Sequence, residues 1–175
     1  MSKVSLRAVL IALISLIAIG SLVSVSEDKP RIIKPQLTSS PCVDSGVTLI
    51  VDQGGDRDQM LIRCVKDFKG TGWNIFSAAN LNVQGTAEYP ESFVCRIDGF
   101  PSEDSEDCLA TPSFTKGTWV YFNATAENTE WMRSGLGAAL RTPGCGDYEG
   151  WRYLTSADQS TVAPRIEARP FKCKK

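Results

Sequence analysis

The sequence predicts an α+β domain of about six short strands and one helix, held together by disulfides. Three observations predict it. Short runs of alternating apolar residues recur between Gly-, Pro- and Asp-rich turns, one segment between them has helical spacing, and six cysteines all follow an export-type N-terminus. A length of 175 residues suits one domain with accessory segments. An apolar share of 42% with 22% charged residues is ordinary for a folded chain and speaks against wholesale disorder.

Lys3 and Arg7 precede an uncharged apolar run, Ala8 to Val25. A basic start followed by such a run is an export signal, with a cut expected after Ser26. The run is longer than the usual signal core of about 7–15 residues, so a retained membrane anchor through residues 8–25 is the alternative. Either way the rest of the chain is expected outside the cytoplasmic membrane, secreted or anchored to its outer face. Residues 27–41 carry Pro30, Pro35 and Pro41 among polar residues and read as an extended linker.

The domain itself is expected over residues 42–155. Gly46 to Asp52 puts Val47, Leu49 and Val51 on one face of a strand, and Gln59 to Lys66 resumes β character after a turn, so the two form a hairpin. Trp73, Phe76 and Ala79 or Asn80 share a helical face, with Thr71 as N-cap. Phe93 to Asp98, Thr118 to Ala124, Glu130 to Ser134 and Gly150 to Leu154 read as further strands. Residues 156–175, with Pro164 and Pro170, are expected to wrap the domain as a tail pinned by Cys173.

In an oxidising compartment the six cysteines make up to three disulfides, and the absence of any CxxC spacing weakens zinc and redox readings. Cys95 with Cys108 is the favoured pair, because Gly99-Phe100-Pro101 can turn the chain between them. Cys42 and Cys173 flank the rest and are expected to tie its ends, which leaves Cys64 with Cys145.

There is no histidine, so Ser-His-Asp and Cys-His catalysis and HExxH zinc chemistry are excluded. Any acid–base chemistry would need a strongly shifted carboxylate, lysine or cysteine. With 19 basic and 20 acidic residues there is no nucleic-acid footprint. Asp52, Asp56 and Asp58 suggest a calcium loop but lack the EF-hand order of oxygens, and a solvated hairpin turn is the simpler reading. Glu103, Asp104, Glu106 and Asp107 form an acidic run with no fixed carboxylate separation, read as a solvated surface loop rather than a hydrolase pair.

The aromatics carry more information. In TWVYFNA, alternation puts Trp119 and Tyr121 on one face and Val120 and Phe122 on the other. One face meets the helix; the other is either core or an apolar platform for a planar ligand or protein surface. Trp119, Tyr121, Trp131 and Trp151 are the candidate contact residues.

The order TGWNIF, FVCRIDGFP, TWVYFNA, EWMRSG and EGWRY resembles the transcobalamin-like C-terminal domain of secreted and cell-surface bacterial proteins. The resemblance runs over residues 46–154, through Thr71 to Phe76, Phe93 to Gly99, Gly117 to Tyr121 and Trp151 to Tyr153. Asn74, Ile75, Phe122 and Arg133 depart from the residues common in that family. The resemblance implies a β-grasp-like mixed sheet of five or six strands on one helix. It also implies cobalamin as a candidate ligand, although the B12 carriers hold it mainly with a larger helical domain that this chain does not contain.

The expected function is therefore an exported, non-enzymatic binding module. It would recognise a corrinoid or related ligand as an accessory to uptake, with a membrane transporter as candidate partner. The alternative is a cell-surface protein–protein interaction or adhesion module with no small-molecule ligand.

Overall fold

A computed structural model describes residues 37–55, 59–158 and 162–174. The run Ala8 to Val25 and most of the linker lie outside the described residues. Among the described residues no helix is long and apolar enough to cross a membrane, against the transmembrane reading, whose own residues 8–25 lie outside them.

Among the described residues eight strands and one helix follow in the order β1 Leu37–Thr38, β2 Val47–Asp52, β3 Met60–Val65, α1 Asn74–Ala78, β4 Val83–Gly85, β5 Val94–Ile97, β6 Thr118–Thr125, β7 Asn128–Arg133 and β8 Tyr148–Leu154. The main sheet has the order β1-β3-β2-β8-β6-β7, and β4 pairs with β5 as a separate ribbon. β2 and β8 run parallel, while the other pairs are antiparallel. The last strand thus enters the middle of the sheet beside the first hairpin. This is the expected β-grasp-like α+β arrangement of a mixed sheet around one helix.

Burial explains the strand order. Every residue of β2 and of β8 is buried, because central strands are covered on both faces. β7, at the edge, is exposed at five of six positions. Two elements escaped the sequence reading, β1 and β4, each too short to show alternation. β1 takes the end of the expected linker into the sheet, with Thr38 opposite Cys64.

The helix is five residues long, shorter than the expected Trp73 to Leu81 segment. Its start is set one turn earlier. The Thr71 backbone N–H and hydroxyl both donate to Asn74 Oδ1, at 3.0 and 2.9 Å, and Asn74 N–H returns a 3.4 Å bond to Thr71 Oγ1. That is reciprocal capping with Asn in the place of Glu, and Thr71 caps as expected. Asn80, at φ +57°, turns the chain out of the helix.

One face of the sheet holds Leu49, Val51, Trp119, Tyr121, Trp151 and Tyr153 against Ile75 and Phe76 of α1 and Val94 and Ile97 of β5. The opposite face carries Ile50, Tyr148, Val120, Phe122 and Leu154 and is covered by Val162, Ala163, Ile166 and Ala168 of the tail. Both faces of TWVYFNA are therefore core. The expected wrapping tail is what closes the second.

An ion cluster fastens that tail. Asp52, at the end of β2 and wholly buried, accepts from Arg152 Nη1 at 2.6 Å and Arg165 Nη2 at 2.8 Å. It also accepts from the backbone N–H groups of Arg165 and Gly54. Asp52 is thus a clamp rather than part of a solvated turn; Asp56 and Asp58 lie outside the described residues. In the acidic loop Glu106 is buried and accepts from Cys108 N–H at 3.2 Å, whereas Glu103, Asp104 and Asp107 are exposed as expected.

The disulfides are Cys42–Cys64, Cys95–Cys108 and Cys145–Cys173. The Cys95–Cys108 pair is as expected, and the other two replace Cys42–Cys173 and Cys64–Cys145. The reason is local. Cys64 sits opposite Thr48 in the first hairpin, and Cys42 N–H donates to Thr48 Oγ1 at 2.9 Å, so Cys42 lies over the same hairpin with a Cα separation of 4.9 Å. Phe171 N–H bonds to Gly146 O, which delivers Cys173 to Cys145 rather than to the domain's start.

Candidate functional site

A cavity of about 290 Å³ opens beside β6, lined by Trp119, Val120 and Tyr121 on one side, Ser92 to Val94 on another, and Ser134 to Ala138 at its end, with Trp151 beneath. Three of the four candidate contact residues meet there. Trp119, Tyr121 and Trp151 are 5%, 8% and 4% exposed, so they form its floor rather than an open platform. Tyr121 and Trp151 stack at 4.6 Å with an interplanar angle of 13°, and Trp119 meets Tyr153 edge-on at 5.4 Å. The indole N–H groups of Trp119 and Trp151 are enclosed without an acceptor among the described residues.

Trp131 is not part of this group. It lies on β7 against the other sheet face, edge-on to Tyr148 at 6.1 Å, and its indole N–H donates to Ile166 O at 2.7 Å. Its place is under the tail. A β7 bulge between Asn123 and Thr125 of the partner strand resets the register.

Beneath the cavity is a polar cluster that sequence reasoning missed. The Tyr121 hydroxyl donates to Glu149 Oε2, Arg141 Nε donates to Glu149 Oε1 at 2.9 Å, and Arg141 Nη2 reaches Asp147 Oδ2 at 2.9 Å. Glu149 is wholly buried. Burial raises its pKa to about 7, against the pull of Arg141 and the Tyr121 hydroxyl. Burial likewise raises Asp147 despite Arg141. The Tyr121 hydroxyl is driven far up, by burial first and then by the Glu149 charge. The signal was in YEGWRYL, where alternation puts Glu149 on the face of Trp151 and Tyr153; a strand begun at Gly150 omits it.

The same cluster anchors the segment that walls the cavity. Arg141 O accepts from Gly72 N–H at 2.8 Å, and Ala138 O from Trp73 N–H at 3.0 Å. Leu140, between these ties, and Leu136, just before them, stand 75% and 55% exposed. Gly72 is needed where it is: a Cβ there would stand 2.4 Å from the Tyr121 hydroxyl oxygen.

A second cavity, about 690 Å³, lies between Pro41 to Val43 and the tail at Ile166 and Phe171. Among the described residues no group of three or more cysteine or carboxylate side chains is placed to hold a metal ion. Comparison with protein families, curated proteins and solved structures finds no match to this chain.

Proposed function

We propose that the chain is an exported, non-enzymatic module that binds another protein. The observation carrying this reading is the pairing of two well-exposed leucines, Leu136 and Leu140, with a small aromatic-floored cavity on the same segment. Leu136 lines the cavity and Leu140 stands exposed on the same segment, and neighbouring exposed apolar side chains mark interaction sites. The cavity is at the lower limit of ligand pockets, which run from about 300 to 1,000 Å³ for drug-sized molecules. A whole corrinoid is several times too large for it, whereas one side chain of a partner fits. Three disulfides that use every cysteine support an oxidising location.

Photo-crosslinking amino acids placed at positions 136, 140 and 109 on intact cells test the proposal, since Leu109 is equally exposed but distant in sequence. The expected result is one identical adduct, named by mass spectrometry, from 136 and 140 but not 109. Saturable quenching of tryptophan fluorescence by cobinamide, without any adduct, would replace this reading with corrinoid recognition.

A further inference from the structure

Most buried polar groups in folded proteins are hydrogen-bonded, and a buried donor left unmet is costly. Trp119 and Trp151 are 5% and 4% exposed, and neither indole N–H has an acceptor among the described residues. Trp131 shows the contrast, its indole N–H being met by Ile166 O at 2.7 Å. Trp119 lies opposite Tyr153, and Tyr121 opposite Trp151. The two tryptophans are thus diagonal neighbours on one sheet face, close enough for one small molecule to meet both. Both line the small cavity.

The floor of that cavity is buried, but its rim is not. Ser92, Arg133, Gly135, Leu136 and Gly137 line it and are exposed, so it opens to solvent. Among the described residues that line it, Arg133 is the only charged one and none is acidic. Glu149, beneath the floor, is engaged by Arg141 and the Tyr121 hydroxyl. Indole donors in the floor, a cation at the rim and apolar walls are complementary to an anion with an apolar body.

We propose that this cavity binds a small organic acid. Its carboxylate accepts from the indole N–H groups of Trp119 and Trp151 in the field of Arg133, and its apolar body packs on Val94, Leu136 and Ala138. A hydrogen bond to an ionised acceptor is stronger than a neutral one, which favours the acid over its amide. The volume of about 290 Å³ limits the body to roughly the size of an aromatic side chain. The site goes beyond the protein-binding reading, which stands on Leu136 and Leu140 and does not need the acid.

The full disulfide-bonded domain is titrated with phenylacetate, phenylacetamide and phenethylamine, which share a shape and differ in charge, and followed by nitrogen–proton NMR. Phenylacetate should move the indole signals of Trp119 and Trp151 and leave that of Trp131 in place, with a Kd on the order of a millimolar. Phenylacetamide should bind about fivefold more weakly, and phenethylamine not at all. Arg133→Gln should weaken phenylacetate by a similar factor. Gly137→Leu, whose Cβ meets only Ser92 O at 4.0 Å, should narrow the cavity and abolish binding while leaving the thermal midpoint nearly unchanged. Equal binding of the three compounds, undiminished binding by Gly137→Leu, or unmoved indole signals at about 20 mM phenylacetate overturns the proposal. The adducts at 136 and 140 report separately: they persist if only the acid site is wrong, and are missing if only the protein partner is wrong.

Discussion

The Tyr121 hydroxyl donates into the carboxylate of Glu149, one strand away, with Glu149 wholly buried and Tyr121 forming part of the cavity floor above it. Tyr121 thereby belongs at once to the aromatic stack and to the ion cluster. A change in either is felt by the other.

Glu149 makes stability depend on pH near neutrality. Its folded pKa is raised to about 7 by burial, above its ordinary value of 4.5. The folded state therefore binds the proton more tightly, and stability falls as pH rises from about 4.5 through about 7. The effect is of the order of 3 kcal/mol. The thermal midpoint should rise on going from pH 8 to pH 5, and Glu149→Gln should flatten that slope. A variant with the wild-type slope would remove Glu149 as the cause.

Asp52 acts in the opposite sense. Burial pushes its pKa up, but the hydrogen bonds from Arg165 and Gly54 and the Arg152 charge hold it below the ordinary carboxylate value. Its stabilisation is present above that value and lost as pH falls through the lowered one. Asp52→Asn leaves the buried Arg152 without its carboxylate, and should cost about 3–5 kcal/mol in denaturant unfolding. It should also open the tail near Arg165 to protease. Arg165→Ala, whose partner keeps Arg152, should cost less.

The bridges should respond unequally to reductant. Cys42, Cys64, Cys95 and Cys108 are at most 4% exposed, while Cys145 is exposed and Cys173 half-buried. Limited dithiothreitol followed by alkylation should label Cys145 and Cys173 first, because thiolate attack requires access. Tryptic peptides of the unreduced protein should join 42 to 64, 95 to 108 and 145 to 173. Any 64–145 peptide would overturn the Cys42–Cys64 pairing across the first hairpin.

Gly72→Ala should destabilise through Tyr121 alone. The added methyl stands against the hydroxyl oxygen at 2.4 Å, and such overpacking costs about 1–3 kcal/mol. In the Tyr121→Phe background the same substitution should cost distinctly less, a coupling readable in a double-mutant cycle. Additive losses would mean that some other neighbour resists the methyl.

Where a residue's neighbours are near in sequence, the sequence was readable. Val47, Leu49 and Val51 announced β2, and Thr71 announced the helix start. Asp98-Gly99 turns the chain with φ of +49° and +81°, as a two-residue hairpin turn requires, and so brings Cys95 within reach of Cys108. Relations set by topology were hidden. Cys42 pairs across a hairpin instead of with the far end, since nothing in the spacing says which cysteine lies over which strand. Trp131 reads like Trp119 in sequence, yet the β7 register points it under the tail. Asp52 looked like a turn residue because its two arginines lie a hundred residues and more away.

The parallel pairing of β2 with β8 has a consequence for how the chain must be made whole. On the side away from β3, Thr48 to Asp52 finds its partner in Tyr148 to Arg152, and Asp52 and Arg152 are 100 residues apart. The two bridges that close before Cys145 lie on hairpin and ribbon, and each can lock its own piece early. Neither can assemble the sheet. A ribosome or translocation channel still holding β8 withholds the middle of the fold, and a chain truncated before Tyr148 keeps those two staples but has no centre to staple together.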